Sequence, residues 1–213
     1  MKYIQKNREP SALIEHRSKE YACYDNIPKD TKDEIRKSLL AEQGHVCCYC
    51  MKRIHMEDMK IEHWKPQGYV ELSLQYSNML GACNGNEGNP RQLQCCDTYK
   101  GEKELFINPL DKCCETFIKF RDDGTIYSDD PRVNHDLKEI LNLNQQTLKE
   151  NRKEVIDCIV EYLLREYPTG QWPKAKIQEV INQWNRRDAQ GRYREYYGVA
   201  LYRLQRWLMK ATS

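Results

Sequence analysis

The sequence lacks any run of about 20 apolar residues, the length that a membrane-spanning helix requires. Its first residues, Met1 to Lys6, contain no apolar segment of the kind found in signal peptides. Internal repeats and low-complexity tracts are also missing. These absences exclude membrane-spanning and exported proteins from the expected classes, and they predict a soluble, cytoplasmic protein with no membrane partner.

Strong charge of one sign is missing too. The 34 Lys and Arg residues nearly balance 32 Asp and Glu residues, which leaves a formal net charge of +2. Bulk charge therefore gives no indication of nucleic-acid binding. From Thr147 to Ser213, however, 13 basic residues outnumber 8 acidic ones. A phosphate-binding surface is thus expected to use the C-terminal third of the chain.

Cysteine, by contrast, is abundant, with ten residues in 213. Such a count would suggest disulfides in a small secreted domain, but the predicted cytoplasmic location implies reduced thiols. In that compartment a Cys-x-x-Cys pair indicates first a metal site or redox chemistry.

The pattern divides the chain into three parts: an N-terminal arm over residues 1–30, a central module over 31–128 and a C-terminal helical unit over 129–213. The predicted fold class is α+β. The arm carries at most one short helix. In the last part, apolar spacing predicts three helices, the second of which starts at Pro173.

Local signals organise the central module. A helix is predicted from Thr31 to Gln43, with Thr31 and Glu34 as a capping box and Gly44 as its stop. A β-hairpin is predicted over residues 46–65, followed by a loop over 81–95. Small strands are predicted at 106–110 and within 117–127, around an Asp-Gly turn.

Four short features occur in a fixed order between residues 47 and 101. They are Cys47-x-x-Cys50, Glu62-His63-Trp64-x-Pro66, Asn78-Met79-Leu80 with Cys83 close behind, and Cys96-Asp97-x-x-Lys100-Gly101. Each is common in unrelated proteins, and a lone histidine in a strand is more often structural than catalytic. The ordered set is far more specific than any member.

The cysteines of this set predict a structural Zn²⁺ site. A small hairpin followed by a short helix buries too little surface to hold a catalytic geometry, and a tetrahedral thiolate site can clamp it. Cys47 and Cys50 have knuckle spacing, and Cys83 and Cys96 would complete the site. Cys95 competes with Cys96, which is favoured because Asp97 and Lys100 follow it.

The remaining residues predict phosphodiester hydrolysis. His63 can act as a general base, and Glu62 with Asp97 can bind one Mg²⁺ or Mn²⁺ through oxygen ligands. Asn78 is expected to hydrogen-bond to His63 and fix its orientation. Asn84, which follows Cys83, is an alternative metal ligand to Asp97.

These motifs resemble the zinc-clamped, McrA-like branch of the HNH (ββα-metal) endonucleases. The opening Ile4-x-Lys6-x-x-Glu9-Pro10 and the segments Ile107-Asn108-Pro109-Leu110 and Leu141-Asn142-Leu143-Asn144 extend the resemblance to PtuB proteins. PtuB is the HNH subunit of Septu antiphage systems, which also occurs beside some retrons. The resemblance covers about residues 1–152.

The resemblance implies an HNH nuclease module at residues 31–128 and an antiphage effector that cleaves DNA or RNA. It further implies a partner, the ABC-type ATPase PtuA, and a larger complex with a reverse transcriptase and its DNA in retron-associated members. Two positions depart from the family pattern: Glu62 stands where Asp is frequent, and Asp97 where Asn or His is frequent. Both keep oxygen ligands.

Other functions fit the residues less well. A non-catalytic zinc module that binds nucleic acid or protein would not need carboxylates at Glu62 and Asp97. A thioredoxin-like protein would place Cys47 after a buried strand, within a βαβ pattern that is missing here. Near the C-terminus, Arg186, Arg187, Arg192 and Arg194 alternate with tyrosines, which fits either a nucleic-acid surface or a helix junction with inward-facing rings.

Overall fold

A computed structural model describes residues 1–211 and shows an α+β fold, as predicted. The α-helices are α1 (Ser11–Arg17), α2 (Lys29–Gln43), α3 (Val70–Ser73), α4 (Cys96–Lys100), α5 (Pro131–His135), α6 (Gln146–Glu166), α7 (Lys174–Trp184) and α8 (Tyr197–Lys210). The strands are β1 (Met59–His63), β2 (Met79–Cys83), β3 (Lys119–Phe120) and β4 (Ile126–Tyr127). No helix within residues 1–211 is both long and apolar enough to cross a lipid bilayer.

The strand that carries His63 pairs with a different segment from the predicted one. β1 pairs antiparallel with β2, with Met59 opposite Cys83 and His63 opposite Met79. The predicted first strand contributes only an isolated bridge between Val46 and Arg53. β2 escaped prediction because all five of its residues are buried, so it shows no alternation of polar and apolar residues.

Helix α2 leads directly into the cysteine knuckle. It starts at Lys29 after Pro28, two residues before the predicted start, and no side chain caps it, so the expected capping box with Thr31 is not formed. Its end is as predicted: Gly44 has φ 60°, in the left-handed region that glycine adopts at low cost. The Tyr193 ring lies where a side chain at position 44 would project.

Two further local predictions have different outcomes. Strands β3 and β4 form the predicted turn structure around Asp123 and Gly124. Residues 106–110 form no strand, because the backbone N–H groups of Phe106 and Ile107 donate to the Asp136 carboxylate instead of to a neighbouring strand. That side chain belongs to a π-helical turn, Asp136–Ile140, which continues α5.

A single hydrophobic core runs through all three parts of the chain. The N-terminal arm, residues 1–30, contains one short helix, α1, and contributes Met1, Ile4 and Leu13 to this core. At the other end, the three predicted helices are present as α6, α7 and α8. Arg152 of α6 is buried and donates to the carbonyl oxygens of Gly124 and Leu143, at 2.6 and 2.7 Å.

Candidate active site and metal cluster

Four buried cysteine sulfurs meet at the base of the β1–β2 pair. The Sγ atoms of Cys47, Cys50, Cys83 and Cys96 all lie within 4.8 Å of one another. The Cys47–Cys96 and Cys50–Cys83 Sγ distances are both 3.8 Å. Zn–S bonds of about 2.3 Å give tetrahedral edges of about 3.8 Å, so this group has the size and donor chemistry of a structural metal site.

The first two ligands are presented by a tight knuckle. Met51 adopts φ 67°, and its backbone N–H donates to the carbonyl oxygen of Cys47 at 3.1 Å. The N–H of Lys52 points to Cys50 Sγ at 3.5 Å. A backbone donor beside the sulfur stabilises the thiolate form that a metal needs.

Cys96, the fourth ligand, is held in place by a residue that lies outside β1, β2 and α4. Cys96 has φ 56°, an uncommon conformation for a residue with a side chain, and its N–H donates to the Leu141 carbonyl at 2.9 Å. Cys95 is also buried, but the group that converges within 4.8 Å contains Cys96. Backbone strain of this kind persists only where surrounding contacts determine it.

His63, the last residue of β1, is almost fully buried and has a defined tautomer. Its Nε2 lies 2.9 Å from the backbone carbonyl of Ser73. A carbonyl oxygen can only accept, so Nε2 carries the proton and Nδ1 keeps its lone pair. Burial lowers the pKa of the imidazole below its usual range. The neutral form, which can take a proton, is therefore favoured.

Two side chains lie against the imidazole. Gln67 Nε2 is 3.4 Å from Nδ1, the nitrogen that can act as a base. The Tyr24 ring meets the imidazole edge-on, with ring centroids 4.5 Å apart. Gln67 is exposed, so a side chain in contact with solvent lies beside Nδ1.

Contrary to the prediction, Asn78 does not hydrogen-bond to the His63 imidazole. Its side chain accepts from the Lys65 N–H at 2.8 Å and donates to the carbonyls of Lys65 and Leu72, at 2.9 and 3.3 Å. Asn78 therefore closes the loop between the two strands, and the carbonyl of Ser73, inside that loop, holds the ring instead.

The Glu62 side chain is also buried, but its partners differ from those of the His63 side chain. Successive side chains of a strand point to opposite faces. Glu62 Oε1 accepts from the Tyr49 hydroxyl at 2.6 Å and lies 2.8 Å from Lys100 Nζ. Burial raises the pKa of this carboxyl well above its usual range, and the neighbouring Asp97 carboxylate raises it further. Two carboxylates held together in this way have the chemistry of a cation site.

The His63 imidazole and Asn84 have no hydrogen bond to these two carboxylates within the described residues. Within residues 1–211, no hydrogen bond or ion pair joins the His63 imidazole to Glu62 or Asp97. Asn84 is exposed, and its side-chain oxygen accepts from the Asn86 N–H in its own loop at 3.3 Å. Asp97 is half-buried, and Lys60 Nζ lies 3.9 Å from its Oδ2.

The basic, tyrosine-rich segment before α8 is a helix junction. Tyr196 and Tyr197 are buried, and Tyr193 stacks on Tyr197 with ring centroids 4.2 Å apart. Arg187 donates to the carbonyls of Ala41 and Glu42 at the end of α2, both at 2.7 Å. The rings and this arginine therefore have structural partners.

Comparison with known proteins agrees with this geometry. The chain is 30% identical over 147 residues to a protein of Vibrio cholerae serotype O1 biovar El Tor, named as an inferred HNH endonuclease of retron Vc95. The match covers 63% of this chain and 68% of the relative. The chain belongs to the HNH endonuclease family. No protein-family profile matches it.

Sequence reasoning about this HNH endonuclease family member missed four contacts. Ser73 acts through its backbone carbonyl, which no side-chain motif can reveal. Gln67 and Tyr49 are ordinary residue types in positions that only folding brings to the site. Lys100 was visible in its motif beside Asp97, but it lies in helix α4 and its partner Glu62 lies in strand β1.

Proposed function

We propose that this protein is a metal-dependent HNH nuclease that hydrolyses phosphodiester bonds in DNA or RNA. The observation that carries the proposal is the orientation of His63, whose Nε2–H donates to the Ser73 carbonyl and leaves Nδ1 as the proton acceptor. Family membership supports a nuclease function in general. A buried, neutral imidazole with one free lone pair is the group that general-base catalysis requires.

In this proposal His63 accepts the proton of the attacking water at Nδ1. Gln67, 3.4 Å away, moves aside or hydrogen-bonds to that water. Glu62 and Asp97 would hold Mg²⁺ or Mn²⁺, which would supply positive charge at the scissile phosphate. Lys100 and Tyr49 fix the Glu62 carboxylate from behind. Asn78 contributes by closing the loop that carries Ser73.

We assign Zn²⁺ to the four-cysteine group. Its ligands come from the knuckle, the end of β2 and the start of α4, so one ion would connect the helix that bears Asp97 to the strand that pairs with β1. All four thiols are buried, and zinc is the ion that four thiolates at tetrahedral spacing prefer.

The cellular role that fits is an antiphage effector of the PtuB type. The relative's name attributes it to a retron. The sequence contains the PtuB-like segments at residues 107–110 and 141–144. On this reading the partners are the ABC-type ATPase PtuA and, in a retron system, a reverse transcriptase with its DNA. The C-terminal helical unit, residues 129–213, contains three of the four tryptophans and is the proposed ATPase-docking surface.

The test compares the parent with His63→Ala, and uses His55→Ala as the matched control because His55 is an exposed histidine outside the site. Cleavage of duplex DNA, single-stranded DNA and RNA is measured with Mg²⁺ or Mn²⁺, with and without the ATPase. We expect His63→Ala alone to abolish cleavage while zinc content stays the same. Equal cleavage by parent and His63→Ala would remove the proposed mechanism. Equal binding without any cleavage would favour a non-catalytic zinc module.

A further inference from the structure

An open groove begins immediately after the catalytic strand. Trp64 and Lys65, which follow His63 in the chain, form one wall. Phe106 forms a second aromatic part of the wall, and Arg132 and His135, both in α5, also line the groove. The groove has a volume of about 760 Å³, and most of its lining surface is apolar. None of the proposed catalytic residues lies in it.

The two aromatic walls are fixed relative to each other. The Trp64 indole N–H donates to the Ile107 carbonyl at 2.9 Å. The N–H groups of Phe106 and Ile107 both donate to Asp136 Oδ2, at 2.7 and 2.8 Å. Asp136 is buried, and its Oδ2 holds this segment through both backbone donors. The groove is therefore preformed, which lowers the cost of ordering it around a ligand.

The exposed surface of the groove combines ring faces with cationic groups. Phe106 is 48% exposed, unusual for a phenylalanine, and the Arg132 guanidinium lies 3.9 Å from its ring centroid. Lys65 Nζ lies 5.0 Å from the Trp64 ring. Each rim cation already has an acidic partner: Lys65 Nζ lies 2.5 Å from Glu104 Oε2, and Arg132 Nη2 lies 2.8 Å from Asp130 Oδ2. An ammonium and a guanidinium carry more N–H groups than these pairs use, so hydrogen-bond donors remain at the rim.

We propose that this groove binds an unpaired base of single-stranded nucleic acid beside the bond to be cut. A nucleobase has two apolar faces and a polar edge, which matches ring walls with guanidinium and ammonium groups at the rim. In a duplex the same faces are covered by neighbouring base pairs, so the groove selects unpaired strands. The inference rests on the proposed nuclease function, whose site the groove adjoins.

The test measures binding of a fluorescently labelled single strand and of its duplex, in the His63→Ala background without added divalent metal. Phe106→Leu removes the ring face but keeps apolar volume at an exposed position. Tyr162→Leu is the matched control, because Tyr162 is also exposed and also carries a cation, Lys176, at 5.1 Å. Arg132→Gln serves as a second variant at an exposed position.

We expect Phe106→Leu to weaken binding of the single strand about tenfold, since stacking of a base on an aromatic ring contributes strongly to single-strand affinity. Phe106→Trp should restore the affinity, Arg132→Gln should weaken it, and Tyr162→Leu should leave it unchanged. Tighter binding of the duplex, or equal single-strand affinity of parent and Phe106→Leu, would overturn the proposal. So would a loss confined to ATPase binding, which would make the groove a protein-docking surface.

The outcomes separate this inference from the proposed function. If the parent fails to cleave but single-strand binding depends on Phe106, the nuclease mechanism is wrong and the assignment of the groove to single-strand binding remains supported. If cleavage depends on His63 but single-strand affinity does not depend on Phe106, the mechanism remains supported and the assignment of the groove is wrong.

Discussion

Lys100 Nζ lies 2.8 Å from Oε1 of Glu62, and the two side chains are 1% and 2% exposed. Lys100 also donates to the His63 carbonyl at 2.9 Å, so it contacts both neighbouring residues of the proposed centre. Burying either charge alone would be costly, but paired and hydrogen-bonded they can be accommodated. Helix α4 is thereby joined to the end of β1.

Replacing Lys100 with Met should strongly destabilise the protein. The substitution leaves the buried Glu62 carboxylate without its partner, a change that typically costs about 3–5 kcal/mol. Urea unfolding measures the difference. Lys37→Met, which removes an exposed partner of Glu34 in α2, is the control and should unfold with the parent. If Glu62 also binds a divalent ion, Mg²⁺ should restore more stability to Lys100→Met than it adds to the parent.

The choice between Cys95 and Cys96 as metal ligand can be measured directly. Zinc bound by four thiolates contributes about 10–16 kcal/mol of apparent free energy, so the folded protein should retain about one ion per chain. Cys96→Ser should lower the zinc content and the melting temperature, whereas Cys95→Ser should keep the zinc. Elemental analysis of both purified variants gives the answer. Zinc lost from Cys95→Ser but kept by Cys96→Ser would reverse the assignment.

Asp97 and Asn84 are the two proposed candidates for the second oxygen ligand. Asp97 follows a metal-site cysteine and lies close enough to Glu62 to raise the pKa of its carboxyl, while Asn84 is exposed and bonded within its own loop. Asp97→Ala should therefore need more Mg²⁺ for half-maximal cleavage, and Asn84→Ala should match the parent. A larger effect at Asn84 would transfer the ligand role to it.

The Leu141-Asn142-Leu143-Asn144 segment connects the metal cluster to the C-terminal helices. Asn142 has φ 47° and donates to the carbonyls of Gln92 and Gln94, at 3.1 and 2.7 Å. Asn142→Ala should lose both hydrogen bonds and add backbone strain, a total of about 2–3 kcal/mol. Asn142→Gly loses the same bonds without the strain and should be the milder change. Equal stability of the Ala variant and the parent would show that the segment plays no structural role.

The C-terminal helices should be required for folding, because Arg152 of α6 reaches into the core. Arg152→Met leaves the carbonyls of Gly124 and Leu143 without donors and should lower the free energy of unfolding by about 2–4 kcal/mol. The adjacent Lys153→Met changes only an exposed pair with Asp157 and serves as the control. Thermal unfolding followed by circular dichroism measures both. Coinciding melting curves for Arg152→Met and the control would mean that α6 docks loosely.

Local patterns determined a large part of this protein. The two-residue gap between Cys47 and Cys50, the stop at Gly44 and the apolar spacing of α6 to α8 were readable because each depends on neighbours within a turn or two. The order of the four motifs was enough to indicate an HNH nuclease. All of these signals can be recognised without knowledge of the fold.

Tertiary structure alone decided which distant groups meet. β1 pairs with β2 across fifteen intervening residues. The sequence did not predict this pairing, because β2 is fully buried and shows no alternation of polar and apolar residues. Ser73 orients His63 through a backbone carbonyl, and Lys100 neutralises Glu62 from another element. Such contacts become strong only when folding removes water from both partners, and that desolvation is a property of the packed molecule that no short stretch of sequence contains.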